Sequence, residues 1–119
     1  MKENTKYNLF LDDDRDPEDV FQYMKHPIYL INDDWEIVRN YDDFVKIIQE
    51  KGIPDKISFD HDLGIIKSIE KTGYDCAKWL IYYCLDNNKK IPAEIFIHSM
   101  NPVGSANIKS LFDTYEWYM

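Results

Sequence analysis

The sequence predicts a three-layer α/β domain, with helices on both faces of a short parallel sheet of about four strands. Three observations predict it. Short apolar runs alternate with helix-start signals in the order β-α-β-α-β-α-β-α. The runs are continuously apolar, as suits strands covered on both faces. Several of them stop abruptly at Asp, His or Ser, the residue types that open α/β sheets place at the ligand-binding edge where strands end.

The first run, Asn8 to Leu11, ends in Asp12-Asp13-Asp14. Asp16-Pro17-Glu18-Asp19 then starts a helix: Asp16 can cap, Pro17 fits the first turn, and the acids suit the positive dipole end. Val20, Phe21 and Met24 make its apolar face, and His26-Pro27 closes it. Ile28 to Ile31 reads as a second short strand or as a packed loop, and Trp35 to Arg39 as a strand. Asn40 caps the next helix. Phe44, Ile47 and Ile48 share one face of it, and Gly52 and Pro54 end it.

Lys56 to Phe59 is another strand, ending in Asp60-His61-Asp62. Leu63 to Lys71 is expected to be a loop. Thr72-Gly73-Tyr74-Asp75 is a capping box. The helix behind it is apolar nearly all round, which predicts deep burial. Asn87 to Lys90 ends it. Ala93 to Ile97 is the last strand and leads into His98-Ser99. The final helix opens at Asn101-Pro102-Val103-Gly104, with Ile108, Leu111, Phe112 and Tyr115 on one face.

A chain of 119 residues fits a single domain, 1–119. It is 45% hydrophobic and 15% aromatic, too rich in core formers for a disordered acidic chain. The formal net charge of −8, with no basic run, excludes a surface that tracks an extended nucleic-acid backbone. A phosphate partner would therefore be a small ligand or an RNA terminus. Cys76 and Cys84 form no C-x-x-C pair and read as buried reduced thiols. Met1 to Lys6 carries no apolar signal region, and no stretch reaches the roughly 18 apolar residues of a membrane span. The cytoplasm is the expected compartment, with no membrane partner.

In a parallel sheet the polar strand ends converge. Asp12, Asp13 and Asp60 would then supply hard oxygen ligands suited to Mg²⁺ or Mn²⁺. His61 and His98 follow strands directly and can share acid and base roles, beside Asp60 in the catalytic set. Arg15 and Arg39 are candidate phosphate clamps. Ser99, Asn101 and Gly104 surround a helix start able to receive an anion. Each has a plainer reading: a capping turn, a hydrogen-bonded strand-end His, or a surface ion pair.

Five stretches together resemble the cyclic-phosphate processing receiver-like domain family. They are Leu9 to Pro17, Trp35 to Arg39, Ile57 to Gly64, Thr72 to Asp75 and His98 to Gly104. The resemblance spans roughly Asn8 to Phe112 and implies a receiver (flavodoxin-like) topology and a role in handling 2′,3′-cyclic phosphate ends, typically in RNA repair or conflict settings. Asp12 and Asp13 would match the metal-binding acidic pair of receivers and Asp60 their phospho-accepting aspartate. His98-Ser99 would stand at their switch Ser/Thr. The sequence stops after the fourth helix, so the last receiver strand and its phosphate-binding Lys are expected to be missing. Three functions stay open: a metal-assisted cyclic phosphodiesterase, a non-enzymatic cyclic-nucleotide or phosphate-binding module, and a degenerate phospho-accepting receiver. The first leads.

Overall fold

A computed structural model of the chain describes residues 7–30, 35–63, 65–66 and 69–117. The strands are β1 (Asn8–Leu11), β2 (Trp35–Val38), β3 (Lys56–Phe59), β4 (Ile65–Ile66), β5 (Ile69–Glu70) and β6 (Glu94–Ile97). The helices are α1 (Pro17–Met24), α2 (Tyr41–Lys51), α3 (Gly73–Asp86) and α4 (Pro102–Trp117). Four strands form one sheet in the order β2-β1-β3-β6, every pairing parallel. β1 lies inside the sheet and the chain winds outward from it in both directions. Doubly wound folds place their ligand crevice at such a reversal, between β1 and β3.

Alternation along β1 divides the core. Leu9 and Leu11 point to one face, where Phe44 and Ile48 of α2, Leu80 and Cys84 of α3 and Ile108 and Phe112 of α4 bury against them. Phe10 points to the other face, against Val20 of α1 and Tyr29. The three layers of the sequence reading are thus present, with α1 alone on its side.

Local signals act as expected at most ends. Asn40 accepts the Asp43 N–H at 2.8 Å to cap α2, and Thr72 and Asp75 cap α3 reciprocally. Gly52 takes φ +92° after α2, a left-handed region that L side chains avoid. His26 Nδ1 accepts the Ile28 N–H at 3.1 Å beyond α1.

Of the two readings of the Ile28 segment the packed one holds: it is a 3-10 turn (Pro27–Leu30) that buries Tyr29, not a strand; Ile31 lies outside the described residues, as do Gly64 and Met1 to Lys6. Two expectations need correction. The Leu63 to Lys71 stretch is not all loop, because β4 and β5 pair antiparallel there. And α3 is not buried all round: Tyr82 and Leu85 are more than half exposed, since α2 and α4 flank it without covering its outer side. Cys76 and Cys84 are free and buried, as read.

The start of α3 is pressed against the end of β3. The Gly73 N–H donates to the His61 carbonyl at 2.6 Å. A Cβ on Gly73 would collide with the backbone carbonyl of Asp60. Backbone, unlike a flexible side-chain tip, cannot swing aside. Gly73→Ala is therefore expected to destabilise the protein by roughly 2 kcal/mol or more, read as a lowered midpoint in chemical unfolding.

Candidate functional site

The site is built at the strand ends, starting from Asp12. Asp12 follows β1 and is fully buried, as is His98 after β6; Asp60 after β3 is nearly so. Asp12 Oδ1 accepts the N–H groups of Asp14 at 2.9 Å and Arg15 at 2.8 Å, which folds the loop around the carboxylate. Its Oδ2 lies 3.1 Å from His98 Nε2 and 3.3 Å from Arg15 Nε.

Behind His98 a buried chain continues. His98 Nδ1 is 2.6 Å from Ser58 Oγ, and Ser58 Oγ is 2.8 Å from the Tyr29 hydroxyl. One proton arrangement satisfies all four groups. Tyr29 donates to Ser58, Ser58 donates to His98 Nδ1, and His98 Nε2–H donates to Asp12. The reverse would aim an imidazole lone pair at a carboxylate. The His98 ring is also stacked on Phe10, centroids 4.6 Å apart and planes 2° from parallel. Its own carbonyl accepts the Tyr23 hydroxyl at 2.6 Å.

Charge follows from this packing. Burial lowers the pKa of His98 against the opposing pull of Asp12, so the ring is neutral at physiological pH. Burial raises Asp12, but the His98 bond and the two loop N–H bonds outweigh it, and the carboxyl ends below its ordinary range. Asp60 lacks such support. Burial first, then the negative charge of Asp12, push it up to about 6. Among the described residues its backbone donor is the His61 N–H at 2.9 Å. Arg15 Nη2 stands 3.8 Å from Asp60, and its guanidinium lies over the Tyr23 ring at 5.2 Å. Asp13 is exposed and its carboxyl is raised by partial burial and by the neighbouring Asp12 charge.

The sequence candidates separate into two groups. Asp13, Arg15, Asp60, Ser99 and Asn101, together with Asp62, Met100 and Pro102, line one open depression. His61 sits beside it, with Nδ1 bonded to Asp62 Oδ1 at 2.9 Å. Gly104 meets the His61 ring: a Cβ there would overlap it. The Gly104 N–H is taken by Asn101 Oδ1 at 3.0 Å, so this glycine admits the imidazole and offers no free donor to an anion. The Ser99 hydroxyl oxygen accepts the Asn101 N–H at 3.0 Å and keeps its own proton to donate.

His98 and Arg39 do not open onto the depression. His98 has both nitrogens bonded and no exposed surface, so direct proton exchange with a substrate is closed to it. Arg39 donates to the carbonyls of Arg15 at 2.7 Å and Asp12 at 3.2 Å, and to Asp16 Oδ1 at 2.6 Å. It staples the β1–α1 loop instead of presenting its fork to a ligand. Sequence reasoning missed Ser58 and Tyr29. A lone Ser within the apolar Ile57-Ser58-Phe59 run was the available signal, because buried polar groups are rare and need partners.

Asp12, Asp60 and His98 place one ligand atom each within 4.8 Å of one another. With Nε2–H turned to Asp12 and Nδ1 to Ser58, His98 keeps no free lone pair, and the two carboxylates are the members of the group that could hold a metal ion. The donor chemistry fits a hard cation. Asp12 and Asp60 offer oxygens in a pocket where burial first, and then the charge of Asp12, push the Asp60 carboxyl up to about 6, so a cation there would favour its ionised form.

A parallel four-stranded sheet, an acidic cluster at the β1 and β3 ends and a polar residue pair after the next strand define a receiver-like α/β domain. A family model for the cyclic-phosphate processing receiver domain matches residues 7–114, and the chain belongs to that family. No curated protein and no solved structure matches it. Among the described residues, no helix is long and apolar enough to cross a membrane.

The Asp60 environment has a consequence for stability. The folded chain holds the Asp60 proton up to about pH 6, while an unfolded chain releases it near its ordinary value of 3.8. The native state then binds more protons across that window, so stability is lost as pH rises from about 4 to 6. Asp60→Asn removes the charge and keeps the acceptor for the His61 N–H. In chelator-treated protein at neutral pH it is expected to be more stable than the parent by roughly 1–3 kcal/mol. The gain should vanish below about pH 4 in thermal melts across pH.

Proposed function

We propose that the protein is a metal-assisted phosphoesterase acting on a cyclic phosphate, either a 2′,3′-cyclic phosphate RNA end or a cyclic nucleotide. One observation carries the reading: Asp13, Asp60 and Asp62 line the depression with Arg15 as the cation among its lining residues, and the buried Asp12 carboxylate stands behind Arg15. A divalent cation would offset that charge for an entering phosphate. Asp12, Asp13 and Asp60 would hold Mg²⁺ or Mn²⁺ through hard oxygens. The bound cation would offset the phosphate charge and polarise the phosphoryl oxygen.

The chain's own groups supply the rest. Arg15, fixed by Asp12 and Asp60, is the side-chain clamp on the phosphate. The Ser99 hydroxyl and the Asn101 side-chain amide add donors at the same wall. His61 is the proton-transfer group: Asp62 fixes Nδ1, which leaves Nε2 to take a proton from water or return one to the departing ribose oxygen. Water adds to phosphorus, one ring P–O bond breaks, and a phosphomonoester with a free hydroxyl results. His98 acts through Asp12, holding that carboxylate in place and ionised. The match to a cyclic-phosphate processing family supports the substrate class. The cytoplasm remains the compartment we expect.

The test is mass spectrometry of a 2′,3′-cyclic-phosphate oligonucleotide incubated with the protein, with and without Mg²⁺ or Mn²⁺. The expected result is a gain of one water that needs the metal, disappears in Asp60→Asn and falls by at least about 100-fold in His61→Gln. Tight binding without product would favour a non-enzymatic ligand module. Phosphate appearing on the protein at Asp60, after treatment with a small phosphodonor, would favour a degenerate receiver.

A further inference from the structure

The two edges of the main sheet are finished differently. At the β2 edge, Glu36 pairs with Lys51 at 3.1 Å, and charge of that kind discourages strand addition. The β6 edge has only Glu94-Ile95-Phe96-Ile97, and among the described residues no strand pairs with its outer side. Glu94 is exposed and Ile95, Phe96 and Ile97 are only partly buried, although they come from a strand that flanks the core. An apolar groove runs beside it, lined by Ile95, Ile97 and Phe112 and rimmed by Lys109 and Asp113.

The hydrogen bonds fix which groups are available. The His98 N–H donates to Phe59 at 2.9 Å and the Glu94 N–H to Asp55 at 3.4 Å, so the even-numbered residues face β3. Ile95 and Ile97 therefore aim their N–H and C=O groups outward.

We propose that this edge is a homodimer interface, in which β6 pairs antiparallel with β6 of a second copy about a two-fold axis through Phe96. In that register Ile95 meets Ile97 of the second copy, and each such pair exchanges both backbone hydrogen bonds. The availability of just these two residues is what the register requires. Phe96 faces its own counterpart on the α1 side, and the isoleucines face each other on the α4 side, so both faces match in polarity. The two α4 helices then run antiparallel across the groove. Lys109 and Asp113, one turn apart and now paired with each other at 2.9 Å, each come opposite the other type on the second copy. That is the self-complementary pattern an isologous contact needs.

Sedimentation velocity on the full chain at roughly 100 μM is expected to show the mass of two chains, with dissociation on dilution. Lys109→Asp should weaken the dimer about tenfold, and the swap Lys109→Asp with Asp113→Lys should restore it. Both side chains are exposed, so neither variant disturbs the fold. Hydrogen exchange should protect the Ile95 and Ile97 amides in a concentration-dependent way. A monomer at that concentration overturns the proposal. So does a dimer that ignores Lys109→Asp and leaves those two amides unprotected, since it would form through another surface.

Discussion

The hydrogen bond from His98 Nε2 to Asp12, 3.1 Å long and fully buried, is the constraint on which the rest of the site depends. It joins the end of β1 to the end of β6 across β3. A carboxylate in so dry a place would ordinarily take up a proton. Here the imidazole and two loop N–H groups keep it ionised. The imidazole is held in turn by Ser58 and Tyr29 and by the Phe10 ring. No buried side-chain polar atom among the described residues is left without a partner, so the network is complete.

Fixing one negative charge at this point sets the character of its neighbours. Asp60, itself buried, is made still harder to ionise by that charge, and Arg15 is drawn in between the two. Among the described residues the depression is lined by three carboxylates and one guanidinium, a balance that favours a cation. The surplus of negative charge costs stability, in the way functional sites commonly do. The same geometry explains two glycines. Gly73 lets α3 press on the Asp60 backbone, and Gly104 lets α4 accept the His61 ring.

Much of this was legible in the sequence because it rests on local rules. The apolar runs gave the sheet, the Asn40 and Thr72 caps gave two helix starts, and the strand-end Asp and His residues gave the site. The directions of side chains were not legible. His98 and His61 both follow strands, yet one turns under the sheet edge and the other onto α4, a difference set by Phe10 and Gly104 far away in sequence. Arg39 could not be told from a ligand clamp until the β1–α1 loop was seen to offer it two carbonyls. Tyr29 sits in a segment with no periodicity, where only tertiary packing decides between strand and turn.

On the proposed reading, the charge fixed at Asp12 makes one specific cation site with Asp60. The most direct measurement is the paramagnetic broadening of backbone amide signals as Mn²⁺ is added to the full chain. The expected broadening centres on Asp12 to Arg15, Asp60 to Asp62 and Ser99 to Asn101 and is lost in Asp60→Asn. Broadening spread over exposed acidic helix starts such as Asp42-Asp43, and unchanged in that variant, would contradict that reading.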